Sequence, residues 1–145
     1  MNDVLTKEQW ISFYINGEVY AQPIAVIREI VPYREASPVP GAPPEVEGIV
    51  NIRGDVMSVI NTRKLMDAPD IDQYDENARI LILESGEHLL GFSVDKVSEI
   101  VGFNNEQVEY SQSDSGLIKG TVNLPQGLYI VADLGEYTHR QDSYE

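Results

Sequence analysis

Proton transfer, metal binding and phosphate recognition each need particular side chains at particular spacings, and this chain offers few of them. Its two histidines, His88 beside an expected turn and His139 in the tail, have no Ser or Asp partner at a recognisable spacing, so neither is expected to act as a base. Glu29 and Glu99 stand at matching positions of an internal repeat, which raises the possibility of an acid and base pair holding a water between them. The repeat gives no reason for the two to converge, and identical acids in both copies are read as exposed strand positions. The run Asp70-Ile71-Asp72-Gln73-Tyr74-Asp75 begins like a calcium loop. However, Asp75 stands at the sixth position, where Gly is needed, and Leu81 at the twelfth, where a bidentate Glu belongs. Neither a P-loop nor a dinucleotide glycine pattern occurs, and the chain has no Cys for a thiolate nucleophile, a disulfide or a Cys-based zinc site. No cofactor and no enzymatic activity are expected.

The repeat itself separates scaffold from site. The segment from Trp10 to Leu65 returns, with substitutions, from Arg79 to Leu134. A shift of 70 carries Ile27 onto Val97 and Glu29-Ile30-Val31 onto an identical Glu99-Ile100-Val101. A shift of 72 carries Gly48-Ile49-Val50-Asn51 onto Gly120-Thr121-Val122-Asn123. Residues common to both copies are expected to serve the fold, whereas residues present in one copy are free to serve a site. Arg53 of the turn Asn51-Ile52-Arg53-Gly54 stands opposite Pro125 and is the leading candidate of the second kind.

The elements that must position these residues are short strands. Ile11, Phe13 and Ile15 alternate with polar neighbours before Asn16-Gly17, a hairpin signal, and Val19 to Gln22 is the expected return. Pro23 interrupts pairing, so Ile24 to Val26 is read as a turn before a strand from Ile27 to Val31; an amphipathic helix over Ile24 to Val31 is the competing reading, disfavoured by the β-branched residues. Four prolines and Gly41 between Pro38 and Pro44 make a connecting loop. Strands follow at Gly48 to Ile52 and Val56 to Ile60, joined through Gly54-Asp55, and Asn61-Thr62 can cap a short helix through Leu65-Met66. The acidic stretch from Asp67 to Asn77 reads as a hydrated linker. In the second copy strands are expected near Ile80 to Leu83, Leu89 to Phe92, Val97 to Val101, Thr121 to Leu124 and Leu128 to Ala132, with turns at Ser85-Gly86 and Gln126-Gly127 and a short helical turn after Asp133. Two sets of five short strands point to an all-β pair of small antiparallel barrels, whose closure protects their edges.

Size and charge narrow the partners. At 145 residues the two halves are too small to be stable alone and must share a core. Ten Lys plus Arg against 24 Asp plus Glu give a net charge of −14, which should repel nucleic acid and anionic membrane surfaces. Without a leader pattern or an apolar run of about 20 residues, no membrane insertion is expected, and the chain is expected to be cytoplasmic and soluble.

Three blocks, Gly17-Glu18-Val19-Tyr20-Ala21, Val26-Ile27-Arg28-Glu29-Ile30-Val31-Pro32, and Asn51-Ile52-Arg53-Gly54 with Val56 and Val59-Ile60, occur in order with the proline loop, the linker and the second copy. Together they resemble the CheW family of bacterial chemotaxis coupling proteins, over about Trp10 to Tyr137. The resemblance implies two five-stranded SH3-like barrels packed on a shared hydrophobic core, with short helical turns. The whole of 1–145 is then a single CheW-like domain: a first repeat over about 10–66, an acidic linker over about 67–78, a second repeat over about 79–137, and a polar tail, 138–145, that is expected to stay mobile. It also implies an adaptor that joins the regulatory domain of the histidine kinase CheA to the cytoplasmic tips of methyl-accepting chemoreceptors. Carried onto matching positions, Ile27, Glu29 and Ile30, helped by Val94 and Val97, would face the receptor, and Asn51, Arg53, Gly54, Asp55 and Val56 would form a kinase contact or functional turn; Arg53 either pairs with Glu29 or merely solvates the turn, with Gly54 present for its backbone freedom. The sequence departs from the family at Ser58, commonly Pro, and at Asn61-Thr62, commonly Asp-Leu. The same scaffold would serve a pilus or another kinase array. A rival reading, a small-ligand binding barrel, would need a polar group pointing inward, and the expected inward positions Phe13, Ile15, Val50, Leu81, Leu83 and Val122 are apolar.

Overall fold

The computed structural model describes residues 7–111 and 116–142. Strands β1 (Glu8–Ile15) and β2 (Glu18–Pro23) turn at Asn16-Gly17, and a 3-10 turn (Ile24–Val26) follows. Next come β3 (Ile27–Pro32), β4 (Val46–Ile52), β5 (Asp55–Asn61) and the helical turn α1 (Thr62–Leu65), capped as expected by the Asn61 side chain, which accepts from the Lys64 amide. The second copy supplies β6 (Arg79–Ser85), β7 (His88–Val94), β8 (Lys96–Phe103), the two-residue β9 (Glu109–Tyr110), β10 (Ile118–Leu124), β11 (Gly127–Ala132) and α2 (Gly135–Asp142). Three hairpin turns sit one residue from their expected places, at Arg53-Gly54, Gly86-Glu87 and Pro125-Gln126, because a glycine's freedom can be used in the turn or at the first residue of the returning strand.

The strands form a six-stranded sheet, β8-β1-β2-β11-β10-β9, and a five-stranded sheet, β3-β6-β7-β5-β4. The first hairpin of each copy has left its own partners and joined those of the other copy. Thus β1 pairs with β8 and β6 with β3, both antiparallel, while β2 lies parallel to β11 and β7 parallel to β5. Each lobe is built from both copies. Repeat-related details recur in both lobes. Gly48 (φ +149) and Gly120 (φ +153) sit at matching bulges, where a Cβ would stand 2.1 Å from the Ser37 carbonyl oxygen and 2.2 Å from that of Glu109. Only glycine lets the chain pass so close at those dihedrals.

Three apolar clusters follow from this layout. Trp10, Ala21, Val101, Phe103 and Val122 fill the six-stranded lobe, and Val31, Val50, Ile52, Val59 and Ile82 fill the five-stranded one. Between them, Phe13, Ile15, Ile60, Leu81, Leu83, Phe92 and Leu134 make a central core shared by both. At about 1.5–3 kcal/mol for each large apolar side chain fully withdrawn from water, this seam fastens the lobes together.

One expectation is corrected and one is refined, since Asp67, Asp70, Asp72, Asp75 and Glu76 of the linker are exposed as its composition predicts. The tail forms α2 as far as Asp142, with Tyr137 and Thr138 buried; residues 143–145 lie outside the described residues. Tyr137 packs edge-on against Phe92 at 5.9 Å and its hydroxyl donates to Glu45 at 2.9 Å, so apolar burial outweighs the polar composition. The acidic linker is anchored at Tyr74, whose ring lies 4.2 Å from that of Tyr33 and whose hydroxyl donates to Glu47 Oε2 at 2.9 Å. Tyr33 donates to Glu47 Oε1 at 2.7 Å and Ser93 to Oε2 at 2.5 Å, so three hydroxyls satisfy this carboxylate. Burial first, then the Glu47 hydrogen bond, raises the Tyr33 phenol above its ordinary value. Burial likewise raises Tyr74, with the Glu47 charge adding against an opposing bond from Ser93. Both phenols stay protonated donors at physiological pH.

Candidate protein-interaction surface

Arg53 (φ 53) and Gly54 (φ 90) fill the two-residue turn between Ile52 and Asp55, where positive φ angles match the twist of a tight hairpin. For Gly this is free; for Arg the left-handed conformation costs on the order of 1 kcal/mol. The turn is braced from both sides, since Asn51 Oδ1 accepts from the Gly54 amide at 2.9 Å and the Asn51 carbonyl accepts from Arg34 Nη1 at 3.1 Å. From there the Arg53 guanidinium pairs with the Glu29 carboxylate on β3, which decides between the two readings of Arg53 in favour of the pair. Because β3 and β4 are the two edges of the five-stranded sheet, the pair joins those edges across the lobe's mouth.

With side-chain exposures of 65% and 34%, the Arg53–Glu29 pair contributes at most about 1 kcal/mol to stability. Its effect is to fix orientation: the guanidinium is held beside a carboxylate. Val56, directly across from Asn51 in the ladder, is 63% exposed, and Ile30, next to Glu29, is 36% exposed. Asn51, Gly54 and Asp55 are exposed with them, and Ile27 is half-buried against the central core.

One residue of the expected surface is misplaced. Val94 is fully buried in the central core and cannot present its side chain to a partner. It lies on β7 ahead of the crossing at Asp95, whereas Val97 follows the crossing on β8, so the two do not share a face. Val97, the repeat counterpart of Ile27, is half-buried against the same core. Sequence reasoning also passed over Ile100 (52% exposed) and Leu128 (57% exposed), the counterparts of Ile30 and Val56 on the other lobe. The identical Glu-Ile-Val triplets carried the signal for Ile100. There Glu99 faces the Tyr129 hydroxyl at 3.5 Å instead of an arginine, and burial first, then the Glu99 charge, raises that phenol.

An open groove of about 670 Å³, lined by Tyr33, Glu35, Glu47, Asp72 and Tyr74 among others, lies between the linker and β4, outside the apolar interiors of the lobes. Its inward carboxylate, Glu47, is already satisfied by the three hydroxyls. Among the described residues no three His, Cys, Asp or Glu side chains are gathered to hold a metal ion, and no helix is long and apolar enough to cross a membrane.

The family model of the CheW-like domain matches residues 9–141. The chain is 30% identical over 107 residues to the chemotaxis protein CheW of Bacillus subtilis, covering 74% of this chain and 68% of that one. It is 29% identical over 134 residues to the chemotaxis protein CheW of Treponema pallidum, covering 87% and 79% of the two. The crystal structure of the scaffolding protein TtCheW from Thermoanaerobacter tengcongensis has the same fold, with a TM-score of 0.79, 23% identity, and coverage of 88% of this chain and 85% of that one. The chain belongs to the CheW-like domain family of chemotaxis proteins, which are scaffolds and not enzymes.

Proposed function

We propose that this protein is the cytoplasmic adaptor that couples the cytoplasmic tips of chemoreceptors to the regulatory domain of the histidine kinase CheA. The observation that carries the reading is the braced Arg53–Glu29 pair on a lobe that also exposes Ile30 and Val56, on a scaffold whose interiors are packed with apolar side chains. An apolar surface organised around charge suits the apolar face of a receptor helix. Tethering two proteins on one rigid body makes the second encounter intramolecular, so each interface can be modest, below about 1,200 Å².

The residues read as facing the receptor (Ile27, Glu29, Ile30, with Val97) and those read as a kinase contact or functional turn (Asn51, Arg53, Gly54, Asp55, Val56) meet at the Arg53–Glu29 pair. Two proteins cannot both seat on one small patch. Simultaneous binding therefore requires a second surface, and the exposed Ile100 and Leu128 on the other lobe are the candidates for it. Co-purification of the tagged chain from its native cell tests the reading. Recovery of receptor and kinase together is expected, and the identity of the kinase distinguishes a flagellar array from a pilus or other one. Recovery of neither, with native circular dichroism, would overturn the proposal.

A further inference from the structure

A partly buried ionic cluster stands where the two lobes cross, and the repeat supplies its own control. Arg63, on α1 of the five-stranded lobe, has a side chain only 6% exposed. Its Nε donates to the Pro69 carbonyl at 2.9 Å, its Nη1 to Asp95 Oδ2 at 2.5 Å, and its Nη2 reaches Asn16 Oδ1 at 3.4 Å. Asn16 belongs to the β1–β2 turn of the other lobe, and its amide donates to the same Asp95 oxygen at 2.7 Å. Asp95 is the residue between β7 and β8, where the chain passes from one lobe to the other.

The shifts of 70 and 72 that relate the copies carry Asn16 onto Gly86, Ala25 onto Asp95 and Arg63 onto Gly135. The related crossing thus has Gly, Ala and Gly in these places, and both crossings join the same kind of lobes. The fold does not require the cluster. Withdrawing an arginine and an aspartate from water is also a poor way to gain stability compared with apolar packing, and breaking such a pair on one side is more damaging than replacing both partners.

We propose that Arg63, Asp95 and Asn16 are positioning residues that fix the angle between the lobes, and so the relation between the two partner surfaces. The second half of this statement rests on the adaptor reading above; the first half does not. The chain contains no cysteine, so Ser98→Cys on β8 and Glu87→Cys in the β6–β7 turn, both exposed, allow one spin label on each lobe. The double variant Arg63→Met/Asp95→Asn removes both charges and keeps an acceptor for the Asn16 amide. Its inter-label distance distribution, measured by pulsed electron resonance, is expected to be at least about twice as broad as that of the parent. Affinity for the receptor tip alone and for the kinase regulatory domain alone should change less than about twofold, while the advantage of binding both falls at least about tenfold.

An unchanged distance distribution in a natively folded variant overturns the proposal. If the double variant lacks native circular dichroism, Arg63→Lys takes its place: it keeps a charge beside Asp95 and loses the fork that reaches Pro69, Asp95 and Asn16 together. Broadening is again expected, and its absence again overturns the proposal. A parent chain that binds neither partner would sink the adaptor reading, and the distance measurement would still decide whether the cluster fixes the angle between the lobes.

Discussion

Reversing the charge at Arg53 separates what the turn does for stability from what it does for binding. In Arg53→Glu a second carboxylate faces Glu29 across the mouth of the five-stranded lobe. Two unit charges at about 4 Å repel by about 1 kcal/mol in water, and the 65% exposure of the Arg53 side chain keeps the effective dielectric near that limit. Adding the lost attraction, at most about 1 kcal/mol for an exposed pair, the stability loss is below about 2 kcal/mol. The left-handed φ of 53 strains Glu as it strains Arg, so no backbone cost is added. For a chain of this size that corresponds to a fall in Tm of less than about 8 °C. Binding should respond as well, because the proposed contact includes this charge. Affinity for the partner seated on this patch is expected to fall at least about tenfold, equivalent to about 1.4 kcal/mol. Isothermal titration against receptor tip and kinase domain separately, beside thermal unfolding, reads both quantities. The exchanged pair Glu29→Arg/Arg53→Glu should recover at least half of the lost affinity if the pair acts as a unit. Unaltered affinity in the single variant for both partners would refute the placement of the site.

The two bulge glycines should tolerate no side chain: Gly48→Ala and Gly120→Ala place a Cβ 2.1–2.2 Å from a backbone oxygen and are each expected to cost at least about 2 kcal/mol in urea unfolding. A melting curve identical to the parent's would show that the bulges relax. The raised phenols give a pH signature. A group whose folded pKa lies above its unfolded value of 10.0 contributes stability that is complete below that pH and is lost as pH rises through the folded value. The urea midpoint should therefore hold steady to about pH 9 and fall above pH 10, and Tyr33→Phe/Tyr74→Phe should flatten the fall; an equal slope in the variant would contradict the Glu47 network. Because the lobes exchange hairpins, fragments 1–72 and 73–145 should each lack a cooperative transition by circular dichroism and regain native signal on mixing. A fragment that folds alone would mean that the exchanged pairings are dispensable.

Local chemistry made most of the strands legible. Alternation placed β1, the Asn16-Gly17 pair placed its turn, and Asn61 announced α1. The repeat showed which strands are equivalent, yet equivalence leaves open whether β1 pairs with the third strand of its own copy or of the other. Both choices bury the same residue types, so the exchange seen in β1·β8 and β3·β6 has no local signature. Burial of α2 escaped notice for a similar reason: its composition is polar, and one aromatic, Tyr137, reaching the central core decides its place. In the site, Arg53 and Glu29 were legible because one breaks the repeat and the other follows the family pattern. Val94 was misread because an apolar residue beside a chain crossing carries no mark of which lobe it faces.

The central claim is that two surfaces on one rigid scaffold hold two proteins at the same time. The most direct measurement is the mass of the complex in sedimentation equilibrium when the chain is mixed with saturating receptor tip and kinase regulatory domain. The expected result is a single species containing all three, lost on Arg53→Glu and separately lost on Ile100→Arg. Binary complexes in which each partner displaces the other would contradict it.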